Sequence, residues 1–109
     1  MPSKRERERD EIWAFRKILS RPNYAVLNLL LQKSPRATKE LYSILEKEFT
    51  RKTLIIALRE LSLELNAIQP THIRTSNGYG LGYRLNPKLK EIIRSVQKYA
   101  KVIESVREA

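Results

Sequence analysis

The sequence predicts a mainly α-helical chain with one small β-hairpin, an α+β fold, on three observations. Apolar residues recur at three- and four-residue spacing through most of the chain before residue 66 and again from residue 87 onward. All three glycines fall within five residues, at Gly78, Gly80 and Gly82, between two runs that alternate at strand period. Prolines in Arg21-Pro22, Ser34-Pro35 and Asn86-Pro87 stand where helical stretches stop or start. A chain of 109 residues suits a single domain, which at this size buries roughly 65% of its unfolded surface and needs no disulfide or metal staple.

In chain order, Ser3 with Glu6 three residues later fits a capping box and opens a first helix. Ile12, Phe15, Ile18 and Leu19 follow at helical spacing, with Trp13 beside them. Pro22 suits the first turn of a second helix bearing Ala25, Val26, Leu29 and Leu30, which Ser34-Pro35 ends. Thr38 is placed to cap a third helix, with Leu41, Ile44, Leu45 and Phe49 on its apolar side. Thr50 is the N-cap candidate of a fourth. Leu54, Ala57, Leu58, Leu61 and Leu65 form one stripe along it until Asn66, a residue that tolerates the left-handed conformation of a helix stop.

His72, Arg74 and Ser76 then alternate with Ile73 and Thr75, and Tyr83, Arg84 and Leu85 alternate after the glycines. These runs predict a hairpin with a mobile tip from Ser76 to Gly80. Asn86 caps a final helix with Pro87 at its first position. Leu89, Ile92, Val96, Tyr99, Ile103 and Val106 run along that helix at alternating spacings of three and four, the a/d seam of a coiled coil. The predicted organisation is an N-terminal charged helix at 1–21, a central domain at 22–86 and a C-terminal helix at 87–109.

Composition narrows the function classes. There is no cysteine, which excludes disulfide scaffolds, zinc ribbons and thiol chemistry, and the one histidine, His72, excludes a His-rich metal site. Lys and Arg number 22 against 12 Asp and Glu, a formal charge of +10 that points to a polyanion, nucleic acid first and an anionic membrane second. The excess is concentrated: six bases and no acid from Ile12 to Lys39, and seven bases against Glu91 alone from Asn66 to Ile103. No apolar run approaches the roughly 18 residues of a membrane span, and the charged N-terminus lacks the apolar stretch of a signal peptide. The expectation is a cytoplasmic, nucleoid-associated protein that uses no cofactor, no metal and no membrane.

The order helix, helix, helix, hairpin, helix resembles a winged helix-turn-helix. The stretch from Lys52 to Leu61, KTLIIALREL, is similar to a recognition helix of that class, and Gly82-Tyr83-Arg84-Leu85-Asn86-Pro87 to the second wing strand entering the last helix. The resemblance covers residues 22–109 and is to small dimeric bacterial and archaeal regulators of the MarR and PadR kind, whose outer helices dimerise. Two features depart from the pattern. The segment from Leu41 to Leu54 is about two residues longer than the tightest helix-turn-helix and has no glycine in its turn. Ile55 and Ile56 stand where polar base readers are more usual.

At about 100° per residue, Leu58, Leu61 and Leu65 lie within about 40° of Leu54. Lys52, Ile56, Arg59 and Leu63 fall near the opposite side, with Ile55 at the edge. Lys52 and Arg59 are thus candidates for phosphates or guanine edges, Ile55 and Ile56 for thymine methyls, and Thr53 for a cap or a phosphate. Arg74 with Ser76, Asn77 and Tyr79 would enter a minor groove or lie along phosphates. The loop 33–39, with Arg36 and Lys39, precedes a helix N-terminus that suits a phosphate, and Arg51 adds a further base. The plainer readings are a fourth helix covered by another helix, a solvated hairpin and a solvated loop.

The partners expected are double-stranded DNA and a second copy of the chain. The dimer interface is expected from Leu89, Ile92, Val96, Tyr99, Ile103 and Val106, paired antiparallel or packed with Ile12, Trp13 and Phe15. The favoured function is a dimeric transcriptional regulator reading a two-fold-related site. Two alternatives stand beside it: a less specific DNA-binding protein of chromatin or plasmid partition, and a winged-helix module that holds a protein or an RNA. Catalysis is not expected, because no nucleophile–base set and no carboxylate cluster can be assembled. Gly78-Tyr79-Gly80-Leu81-Gly82 lacks the spacing of a dinucleotide fingerprint.

Overall fold

The structure, a computed structural model, describes residues 4–76 and 78–108, and of residues 4–10 the backbone. Ser3, the Glu6 side chain and Asn77 therefore lie outside the described residues. The elements in order are α1 (Lys4–Leu19), α2 (Arg21–Gln32), β1 (Arg36–Ala37), α3 (Thr38–Leu45) and α4 (Arg51–Arg59). α4 runs on as a π-helical segment (Glu60–Glu64), followed by β2 (Ile68–Thr75), β3 (Gly78–Leu85), a 3-10 turn (Pro87–Leu89) and α5 (Lys90–Glu108). The three strands form one antiparallel sheet in the order β1-β3-β2. This mainly helical α+β arrangement is a winged-helix fold, as predicted, with β1 as a strand that the residue pattern did not reveal.

The core is built around α2, which touches α1, α3, α4, α5 and β3. Val26, Leu27 and Leu30 of α2 meet Leu41 and Leu45 of α3, Leu54 and Leu58 of α4, Leu61, Ile68, Leu85 and Ile93. Each such aliphatic side chain removed from water contributes about 1.5–3 kcal/mol. Leu27 and Ile93 are fully buried although neither lies on the predicted stripes, because α2 has neighbours on several sides and α5 docks through its first turns.

Local capping follows the sequence at three points. The Thr50 hydroxyl accepts a hydrogen bond from the Thr53 N–H at 3.2 Å, Asn66 adopts φ 49°, and the Asn86 side chain accepts from the Lys88 N–H at 3.1 Å. Several expectations are corrected, the first being that α3 ends at Leu45 and does not reach Phe49. The N-cap of α3 is Ala37, and Thr38 instead donates its hydroxyl to the Leu81 carbonyl at 3.1 Å, tying the helix start to the sheet. The fourth helix is not α-helical to Leu65. The Leu65 N–H bonds back five residues to the Glu60 carbonyl at 3.0 Å, while the Ser62 hydroxyl takes the Leu58 carbonyl at 2.6 Å.

The hairpin is longer and tighter than expected. Pairing runs from Ile68↔Leu85 to Thr75↔Gly78, so Tyr79 and Gly80 are strand residues and not part of a mobile tip. Gly82 is buried because a Cβ there would collide with the Ile73 side chain and the Arg36 carbonyl; its glycine lets β1 and Ile73 close on β3. Finally, Pro87 opens a 3-10 turn and not the helix itself. Leu89 in that turn packs half-buried against the chain's own core, off the exposed seam.

Candidate nucleic-acid interface

α4 is two-sided. Leu54, Ala57 and Leu58 are buried, while Lys52, Ile55, Ile56 and Arg59 face solvent, with Ile55 42% and Ile56 45% exposed. No described element of the chain covers that outer side, so the alternative in which another helix lies over it within one chain does not hold. Leu63, in the π-helical segment, extends the open strip at 80% exposure.

The bases near α4 are not equivalent. The Arg51 guanidinium stacks 4.8 Å from the Tyr42 ring and donates twice to one oxygen of Glu46, at 2.9 and 3.0 Å. Such exposed pairs contribute about 0–1 kcal/mol, so their consequence is orientation more than stability. Lys52, Arg59, Arg74 and Lys39 make no ion pair among the described residues. Thr53 is engaged in the cap, its hydroxyl 2.9 Å from that of Thr50.

Arg36 is used inside the fold. Its Nε donates to the Leu29 carbonyl at 2.9 Å and its Nη1 to Glu40 at 2.8 Å, leaving the side chain 10% exposed. It ends α2, holds the start of α3 and fixes β1 at once. Lys39, three residues on, remains exposed beside a small hollow that Thr75, Ser76 and Tyr79 of the wing also line.

In the wing Arg74 stands directly opposite Tyr79, and His72 opposite Leu81, which puts all four on one face of the hairpin. All four are exposed. His72 and Leu81 were not singled out as site residues; only the register shows that they share a face with Arg74 and Tyr79. The other face holds Ile73 over Gly82 and Thr75 over Gly80.

Away from this surface, α1 and α5 enclose an open apolar groove of about 650 Å³, lined by Phe15, Leu19, Ile92, Val96, Tyr99 and Ile103. Ile12, Trp13, Phe15, Ile92, Tyr99, Ile103 and Val106 are all exposed, and Val96 is half-buried. Lys17 connects this region to the end of α4, its ammonium 3.2 Å from Glu60 and 5.8 Å from the Trp13 ring centre. No three His, Asp or Glu side chains converge as a metal site requires among the described residues, and no described helix is long and apolar enough to cross a membrane.

Two solved structures share the fold. A PadR family transcription regulator from Clostridium difficile superposes with a TM-score of 0.67 at 18% identity, over 82% of this chain and 96% of that one. A PadR-like transcription factor from Bacteroides fragilis superposes with a TM-score of 0.59 at 18% identity, over 91% and 97%. No family model matches the sequence, and no curated protein does.

Proposed function

We propose that this chain is a DNA-binding protein of the winged-helix class that acts as a dimeric transcriptional regulator. The observation that carries the proposal is the open side of α4, where Lys52 and Arg59, without an ion pair among the described residues, stand around an apolar pair on a helix held from behind by the core. α4 enters a major groove, with Arg59 and Lys52 on guanine edges or phosphates. Lys39, Arg51 and Thr53 position the backbone, and Arg74, Ser76 and Tyr79 of the wing reach the adjacent groove or its phosphates. Arg36 shapes the site from within. The shared fold of two proteins named as transcription regulators supports the same reading.

Dimerisation follows from α5 and α1. The seam from Ile92 to Val106 extends beyond what the domain covers, and an isolated helix of this length is marginal in water, so a second copy buries it. A second reading is binding with little sequence preference, as in chromatin or plasmid partition. It is favoured by the absence of Asn, Gln, Asp and Glu from α4.

Filter-binding titration on random and on selected duplexes separates the two. A regulator gives a specificity ratio of at least about 10³. Lys39, Lys52, Arg59 and Arg74, four bases per protomer and eight per dimer, give a log–log salt slope of about −7. A slope shallower than about −2 assigns the +10 charge to something other than duplex DNA.

A further inference from the structure

The base-reading chemistry on α4 is narrow. Adenine is read by Asn or Gln, the cytosine amino group by Asp or Glu, guanine by Arg or Lys, and the thymine C5 methyl by an apolar side chain. α4 carries none of the first four residue types. Arg51 is held by Glu46 and Tyr42, and Thr53 by the cap. Ile55 and Ile56 remain on the open side, between Lys52 and Arg59.

The spacing makes these four residues one strip. Lys52 precedes the isoleucines by three and four residues, and Arg59 follows them by four and three. Each cation is therefore the helical neighbour of both apolar side chains. A protein partner would bury the isoleucines only if it also brought an acid to each cation at this spacing. A DNA groove accepts both, because phosphates flank it and methyl groups project into it. Both isoleucines are β-branched and stiff, so little rotamer freedom is lost on contact.

We infer that Ile55 and Ile56 select thymine methyls at neighbouring positions of the target. The preferred duplex then carries thymines beneath the centre of α4, flanked by guanine or bare phosphate beneath Lys52 and Arg59. This rests on the DNA-binding reading above and specifies the class of sequence it acts on.

The test uses a duplex selected by the intact protein from random sequence, and the same duplex with each thymine of one half-site replaced by deoxyuridine. That replacement removes the methyl and keeps every hydrogen-bonding edge. Affinity should fall about fourfold per contacted methyl and roughly tenfold or more for the half-site. Ile55→Ser/Ile56→Ser, at two exposed positions and with its fold checked by circular dichroism, should bind the two duplexes equally. Equal binding by the unmodified protein overturns the inference and leaves DNA binding standing. So does a penalty that persists in the double variant, or retention of DNA with no sequence enriched. Failure to retain any duplex overturns the DNA-binding reading and this inference together.

Discussion

α4 and α5 both hold isoleucines in water, but in different company. On α4 the apolar pair is bracketed by Lys52 and Arg59, and the strip is short. On α5 the exposed Ile92, Tyr99, Ile103 and Val106 follow one another with no charge on the seam, while Lys90, Arg94, Lys98 and Lys101 lie off it. Exposed apolar surface alone does not identify a partner. Charge set within the strip suits a polyanion that also offers methyl groups; charge set beside it leaves a dry seam that another seam can close.

The contrast breaks most decisively at α5. Tyr99→Glu/Ile103→Glu should convert a dimer at micromolar concentration into a monomer in sedimentation, and DNA affinity should drop at least about a hundredfold as two joined half-site contacts become separate ones. An unmodified chain that sediments as a monomer would remove the α5 half of the comparison. On α4, Arg59→Ala should cost about 1–3 kcal/mol of DNA affinity and relax preference at one base pair, with the oligomeric state unchanged. Arg74→Ala should cost less and act evenly across sequences if it meets phosphate. If neither substitution moves affinity in a folded protein, α4 and the wing are not the docking surface.

A third substitution touches neither surface. Arg36→Ala removes the donor to Glu40 and one of two donors to the Leu29 carbonyl, which keeps the Lys33 N–H, and should lower unfolding stability by about 1–2 kcal/mol, read from urea titration. The folded fraction should keep its dimer and its sequence preference. The smallest effect is at Tyr83, whose hydroxyl is pushed above its ordinary 10.0 by burial and then by neighbouring Tyr42. The folded state keeps the phenol neutral where the unfolded chain ionises it. That contribution is complete below the unfolded value and is lost as pH rises through the folded one. Tyr83→Phe should therefore lose less stability than the unmodified protein as pH rises past the phenol's ordinary 10.0.

Features that depend on one side chain and its own backbone were legible in the sequence. Thr50 and Asn66 act within a few residues of themselves, and composition is enough to place them; Asn86 caps Lys88 in the same way, but its amide also donates to the Asn66 carbonyl at 2.9 Å, a partner the spacing does not reveal. The two-sidedness of α4 was legible for a similar reason, since helical periodicity alone separates Leu54 and Leu58 from Lys52 and Arg59. Features with distant partners were not. Arg36 reads as a free loop base until β1 pairs with β3 and its guanidinium reaches Leu29 and Glu40. Gly80 reads as a tip residue until its pairing with Ile73 of β2 places it in the strand. Leu89 fits the seam by spacing, but the 3-10 turn that carries it faces inward.

The bond from Thr38 to the Leu81 carbonyl also bears on solubility. β1 pairs with β3 only at Tyr83 and Gly82, so an open strand edge would begin at Leu81. The Thr38 hydroxyl occupies the first acceptor of that edge, leaving Gly78 to Gly80 as the exposed ladder on the β3 side of the sheet. On that side three residues offer an incoming strand too little length to add to the sheet and start an aggregate, while the opposite edge, β2, carries Pro70, which has no N–H to donate.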